Sequence, residues 1–307
     1  MRTKKYKIKR NLKNRTNKNI IKRKYYKNQK GGTKNNLHIL MRNATNDLID
    51  VLNSIQDLKW FFIEGTLLSV LRYGDTFGKI GNRLNLVDGD IDVMIIVKNQ
   101  SDWLNKSRLI SDELKKKRWN CNGNYINTHI TDPAFKGAKN ISRNDKVTCY
   151  YHTKSHYSIT PWTDIHSLID DGTNNLYVHE EDLLNNVSNW PFKNYGGSIT
   201  RDIIYPLRNT FYNGKKVTIP NKFIELLLNW NNSEYSSGCV LFPYPIKSKH
   251  EWYNYFRDYL ESNLTEEELK GIVKYSVNLN NKGLPSLYDF THGEKYNKCL
   301  NDYKKSL

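Results

Sequence analysis

Acidic residues are missing from the first 36 positions, where fifteen Lys and Arg stand without a single Asp or Glu. Of the formal charge of +17, only +2 is therefore left for residues 37–307. Apolar residues are also scarce in this tail. It cannot bury enough surface to fold alone, so the composition predicts disorder over 1–36. Its chemistry suits contact with nucleic acid, an anionic lipid surface or an acidic partner through counterion release. Gly31-Gly32-Thr33 closes the tail as a flexible hinge, with a double-glycine cleavage site as the alternative. No apolar core of a signal peptide follows the N-terminal charges, and nowhere do about 18 uncharged apolar residues run together. A soluble protein made without membrane insertion is expected, with no transmembrane segment. Cysteine is scarce too. Cys121, Cys149, Cys239 and Cys299 are widely spaced and form no Cys-x-x-Cys pair, which favours a cytoplasmic enzyme. No internal repeat is present. The abundance of Asn and Lys is what an AT-rich genome, such as that of a large DNA virus or a protist, encodes.

Against these absences stands one informative stretch, Val87-Asp88-Gly89-Asp90-Ile91-Asp92-Val93-Met94-Ile95-Ile96-Val97. Three carboxylates at alternate positions lead into an apolar, β-branched run. Successive side chains of a strand point to opposite faces. Asp88, Asp90 and Asp92 thus share one face and can converge on a divalent cation, while Ile91, Val93 and Ile95 pack the other. Hard oxygen ligands suit Mg2+ or Mn2+, the usual ions of phosphate chemistry. An EF-hand-like calcium loop would need a longer acidic run and a distal Glu. A solvated turn is the bland alternative, but acids at the start of a core strand are costly without a compensating cation or hydrogen bonds.

Upstream, Trp60 to Glu64 reads as a short strand, Gly65-Thr66 as a turn and 66–73 as a helix ending before Gly74. Strand, small-residue turn, helix and then a strand with Asp-x-Asp is the outline of the nucleotidyltransferase fold of the polymerase β type. In that outline, N–H groups at Gly65 and Thr66 hold a phosphate opposite the metal. A Gly-Thr pair alone is more often only a turn and an N-cap.

The run Glu64-Gly65-Thr66-Leu67-Leu68-Ser69-Val70-Leu71-Arg72-Tyr73-Gly74-Asp75, followed by Asp88-Gly89-Asp90-Ile91-Asp92, resembles the LicD and fukutin family, whose pattern is G-[TS]-L-L-G-x-x-R-[HY]-G and then D-x-D-[IV]-D. Trp162-Thr163-Asp164-Ile165-His166 resembles the family's later Asp-bearing strand. Tyr205-Pro206-Leu207 through Phe211, Gly214, Val217, Ile219 and Pro220 to Leu226-Leu227 resembles its closing segment. The resemblance covers residues 37–232 in three ordered blocks. Differences are a longer Thr76–Val87 link, which reads as a donor lid or a remodelled pocket, Gly89 in place of an acid, Ser69 in place of Gly, and Trp230-Asn231 where Tyr-Gly is common.

The resemblance implies an α/β (α+β) fold with a mixed sheet flanked by helices. It divides the chain into the tail (1–36), a catalytic domain (37–232) and a C-terminal helical extension packed on it (233–307). It also implies transfer of a phosphorylated small alcohol, phosphocholine or an alditol phosphate, from a CDP-activated donor to a glycan. Asp90, Asp92 and Asp164 would be catalytic, with Asp88 joining them as metal ligands. Gly65, Thr66, Arg72 and His166 would meet the donor phosphates, with surface ion pairing as the plain alternative for Arg72 and a structural role as that for His166. Asp164 or Asp88 would accept the acceptor's proton.

Periodicity supplies the remaining elements: an amphipathic helix over 36–58, a helix from a Ser101 cap to about Arg118, strands at 147–151 and 158–168, and a capping box at Thr265-Glu266-Glu267-Glu268 opening a helix through about Tyr275. Cys149-x2-His152-x3-His156 has zinc-compatible spacing but no evident fourth ligand. The aromatics of 233–307 read as core. Two other function classes remain open at this point: a nucleotidyltransferase adding nucleotides to RNA or another acceptor, and a noncatalytic nucleic-acid-binding virion protein that uses only the tail.

Overall fold

The computed structural model describes residues 34–121, 146–151, 161–177, 198–228, 239–242, 256, 259–261 and 263–306. The chain divides into two units, Met1–Met41 and Arg42–Leu307. Of the first unit, the described part is the opening of helix α1 (Lys34–Ser54). The tail expected to be disordered lies outside the described residues except for its last three positions, which are helical. All that follows concerns the second unit.

Helix α1 buries Ala44, Leu48, Ile49, Val51 and Leu52 along one stripe, as its three- and four-residue spacing requires. It ends at Ser54 rather than 58. Asp57 adopts left-handed backbone (φ 58°), which Asp tolerates better than most residues, and the Leu58 N–H folds back to the Ile55 carbonyl at 3.3 Å. The chain then enters β1 (Lys59–Phe62). Helix α2 (Glu64–Arg72) starts two residues before the expected position, so Gly65 and Thr66 form its first turn instead of a preceding loop.

Strand β4 (Ile91–Val97) is buried at every position because it has neighbours on both sides. It runs antiparallel to β1 and parallel to β7 (Trp162–Ile169). Antiparallel pairings then add β6 (Lys146–Tyr151) and β5 (Trp119–Cys121), giving the order β1-β4-β7-β6-β5. Two short strands, β8 (Asn175–Tyr177) and β9 (Ser198–Thr200), extend from β7. Parallel neighbours need a crossover, and helix α3 (Gln100–Lys116) begins it. The α3 cap is Asn99, whose side chain accepts from the Asp102 N–H at 2.9 Å, not the expected Ser101. Asn is as effective a cap as Ser. The result is a mixed sheet flanked by helices, as expected.

Two hairpins lie off this sheet. In one, β10 (Arg208–Tyr212) and β11 (Lys215–Ile219) pack against β1. The Phe62 and Tyr212 rings meet edge-on at 5.4 Å, and the Tyr212 hydroxyl donates to Ser69 Oγ at 3.1 Å. Ser69 in turn donates to the Asp75 carbonyl at 2.8 Å, so its hydroxyl links α2 to the β10–β11 hairpin. Short helices α4 (Arg201–Ile204) and α5 (Phe223–Leu228) flank the hairpin.

The other hairpin, β2 (Gly78–Ile80) and β3 (Arg83–Asn85), fills the Thr76–Val87 link. It is anchored at several points. The Leu86 N–H donates to the Tyr259 carbonyl at 2.6 Å and its carbonyl accepts from the Glu261 N–H at 3.1 Å. Asn85 Nδ2 donates to Glu268 Oε1 at 2.9 Å, and Arg83 donates to the Asn263 carbonyl at 3.2 Å.

Those partners belong to the C-terminal extension. Helix α6 (Glu266–Asn281) opens with both reciprocal bonds of the capping box between Thr265 and Glu268. It continues six residues beyond Tyr275, because Ser276 and Leu279 prolong its buried stripe. It packs against α2 and β2, approaching so closely that a Cβ on Gly74 would overlap the Tyr275 hydroxyl. Helices α7 (Tyr288–Thr291) and α8 (Gly293–Ser306) complete the extension.

All four cysteines are paired, Cys121 with Cys149 across β5 and β6 and Cys239 with Cys299. Strand register and the return of α8 bring together residues that sequence spacing kept apart. Protein disulfides persist mainly in oxidising surroundings, so the cysteines do not support the expected cytoplasmic location. The Cys149–Cys121 bond also removes Cys149 from any zinc site, and His152 and His156 lie outside the described residues. Among the described residues, no helix is long and apolar enough to cross a membrane.

Candidate metal centre

The acids meet where β4 and β7 enter the sheet. In the parallel register Asp92 lies beside Asp164, and Met94 beside His166. Register partners on adjacent strands point to the same face, so Asp92, Asp164 and His166 share one. Their ligand atoms lie within 4.8 Å of one another, and those of Asp88, Asp90 and Asp92 form a second set with the same spacing. Asp92 belongs to both. The expected ligands Asp88, Asp90, Asp92 and Asp164 are thus brought together, and His166 joins them.

Three of the four acids are positioned by named neighbours. The Asp92 N–H donates to Thr66 Oγ1 at 2.9 Å, and its carbonyl accepts from the Ile63 N–H at 3.2 Å. Thr66 ties α2 to β4 in this way. Gly65 makes room for Asp88: a Cβ there would overlap the Asp88 carboxylate, whose Oδ1 also accepts from the Gly89 N–H at 2.7 Å. Gly65 and Thr66, expected at the donor phosphate, therefore build the acid cluster. Asp164 is held from β6, where Thr148 Oγ1 donates to its Oδ1 at 2.6 Å and Lys146 Nζ to its Oδ2.

This crowding governs the charges. Burial, with Glu64 nearby, pushes the Asp88 carboxyl up to about 6 despite hydrogen bonds from Asp90 and the Gly89 N–H. Burial and then the Asp88 charge lift Asp90 well above the usual carboxylate range. Burial and then Asp90, Glu64, Asp88 and Asp164 do the same to Asp92. For Asp164 burial pulls in the same direction, but Lys146, His166 and the Thr148 hydroxyl outweigh it and hold the carboxyl below its ordinary value. Asp92 is 3% exposed, and its Oδ2 is buried without a hydrogen-bond partner. A buried, unpartnered carboxylate oxygen amid like charges is the environment that a divalent cation relieves.

Arg72 is placed elsewhere. It is 2% exposed and ion-paired with Glu261 through Nη1. Its Nε donates to the Val240 carbonyl at 2.9 Å and its Nη2 to that of Phe242 at 3.1 Å. None of these partners is an acid of the cluster, so the guanidinium locks the end of α2 to the C-terminal extension. Tyr73 donates to the other Glu261 oxygen.

Three contributors escaped the sequence reading. Lys146 and Thr148 stand two apart on β6, and their alternation was the available signal, usable only once β6 was registered against β7. Glu64 was quoted in the motif without a role. It sits beside Asp88 and Asp92 with left-handed backbone (φ 49°), a conformation that costs a non-glycine residue about 1–3 kcal/mol and concentrates at functional sites. Comparison of the sequence with known protein families and with curated proteins finds no match, so a functional reading rests on these residues and their geometry.

Proposed function

We propose that the protein is a metal-dependent transferase that moves a phosphorylated small alcohol from a CDP-activated donor to a hydroxyl of a glycan. The observation that supports it most is the pairing of Asp92 with Asp164 across β4 and β7, with the carboxylates of Asp88 and Asp90, in the segment just before β4, within 4.8 Å of that of Asp92 and Asp92 Oδ2 lacking a hydrogen bond. Together with the ordered LicD- and fukutin-like blocks of the sequence, it favours chemistry on a diphosphate. Mg2+ or Mn2+ held by Asp88, Asp90, Asp92 and Asp164 would neutralise and orient that diphosphate, which is where most catalysis of phosphoryl transfer arises.

The chain's own groups then have distinct tasks. The acceptor oxygen attacks the phosphorus bearing the alcohol, the bond to CMP breaks and CMP leaves with the electron pair. Asp164 or Asp88 would accept the acceptor's proton, and Lys146 and Thr148 hold Asp164 in its ionised form. Lys146 takes the electrostatic role expected of Arg72, since among the described residues it is a cation that reaches the acids.

The reading is tested by incubating the full chain with Mg2+ or Mn2+, a glycan acceptor and either CDP-choline, CDP-alditols or CTP. Mass spectrometry should find CMP and a phosphoalcohol-bearing glycan from a CDP-alcohol. Pyrophosphate release with nucleotide addition from CTP would overturn it in favour of a nucleotidyltransferase. A cytoplasmic site of action would require both disulfides to survive there, which non-reducing peptide mapping of the protein from its native cell checks.

A further inference from the structure

We propose that the acid cluster is two inequivalent cation positions sharing Asp92, and that the inner one, made by Asp92, Asp164 and His166, selects a first-row transition-metal dication over Mg2+. The inference rests on the metal-dependent reading above and deepens it by assigning His166 as a ligand instead of a phosphate contact.

Three observations carry it. The two ligand sets are separate groups with Asp92 in common. Their burial differs by one member: Asp88, Asp90 and Asp164 are half-buried, the shared Asp92 is 3% exposed, and His166, found only in the inner set, is 2% exposed. The shared residue has the buried Oδ2 with no hydrogen-bond partner, so an unsatisfied oxygen is present where both sets meet. Bonds of about 2.1 Å put opposite ligands of one ion about 4.2 Å apart, so a spread of at most 4.8 Å closes onto a cation with small side-chain rotations. Asp164 keeps capacity to ligate while bonded to Lys146 and Thr148, because an ionised carboxylate accepts at about four lone-pair sites.

The donor sets differ in kind. The outer set is all oxygen, which Mg2+ accepts while keeping several waters. The inner set adds an imidazole, the commonest protein ligand of transition ions, and is drier. Mg2+ gives up water reluctantly, whereas Mn2+, Co2+ and Zn2+ gain from a nitrogen donor along the Irving–Williams order. Without His166 the two positions would compete for the same ion. With it they are distinguishable.

The test uses the chelator-treated full chain without nucleotide, so it is independent of turnover. Titration with Mn2+, followed by the paramagnetic resonance of free ion, should saturate at two ions per chain, and Mg2+ should displace one of them. Co2+ should give a visible absorption band from the inner position. His166→Ala and His166→Asn should each lose one Mn2+ and the band; Asp88→Asn with Asp90→Asn should lose the other ion and keep the band. Saturation of the wild type at one Mn2+, or displacement of both ions by Mg2+, overturns the inference whether or not the variants fold. So does a wild-type cobalt spectrum in both His166 variants. Two ions without turnover of any CDP-alcohol would instead sink the proposed function and leave the two positions standing.

Discussion

Asp92 and Asp164 are register partners on adjacent parallel strands, yet their protonation is driven in opposite directions. Lys146 and Thr148 keep Asp164 charged, while burial and then the surrounding carboxylates favour the neutral form of Asp92. The asymmetry comes from β6, whose Lys146 and Thr148 bond Asp164 and not Asp92. An ion bound between the two strands would supply Asp92 with the positive partner that Asp164 already has.

Asp92→Asn should abolish binding of divalent cations and cation-dependent turnover while leaving the far-ultraviolet dichroism unchanged. Its melting temperature in chelator should equal or exceed that of the wild type, because one member of a like-charged cluster is neutralised. A melting temperature lowered by 10 °C would show that the carboxylate has a structural role unrelated to a cation.

Gly65→Ala should behave as a binding-site mutation although it adds only a methyl group. The new Cβ takes the space of the Asp88 carboxylate, so either Asp88 turns away or α2 shifts, at a cost of about 1–3 kcal/mol. Calorimetric titration should record weaker Mn2+ binding, together with a lower midpoint in urea.

Arg72→Ala should lower stability by about 3–5 kcal/mol, since it strands the buried Glu261 charge. Arg72→Met combined with Glu261→Leu should recover much of that loss, because both charges are removed together. Urea melts of the single and double variants measure the coupling. A KM effect in Arg72→Ala without loss of stability would return the residue to the donor site.

Affinity for the cation should fall as pH drops through about 6, where Asp88 takes up a proton and protons compete with metal. The stability of the cation-free protein should move the other way. A carboxyl raised on folding favours the folded state fully below its unfolded value near 4, and that advantage is lost as pH rises through the folded value of about 6. Thermal melts in chelator between pH 4.5 and 7.5 should therefore show a decline that saturating Mn2+ suppresses.

The residues that the sequence made legible were those whose signal is local. Alternation marked Asp88, Asp90 and Asp92 together with the buried run through Val97, and the capping box marked the start of α6. Pairings set by tertiary register were not legible. Nothing in the sequence spacing joins Lys146 to Asp164, Cys121 to Cys149 or Leu86 to Leu260. Arg72 shows the limit most clearly: its place in the motif suggested a phosphate or a surface ion pair, and only the position of Glu261 reveals that the pair is buried. Helix ends also shifted, at Ser54 and Asn99, where one left-handed residue and one better-placed amide decided the boundary.

Glu261 lies 189 residues beyond the Arg72 that it holds, and the loop leading into the acids is strapped to the segment around Leu260. During synthesis, the first half of the chain therefore emerges with its carboxylates gathered on an unbraced loop, and the brace arrives only after most of the remaining sequence has been made. Contacts so distant along the chain are slow to close. An emerging ribosome-bound chain would thus stay open at its acidic loop until late in translation, and truncation just before Glu261 would leave that loop without its fastening.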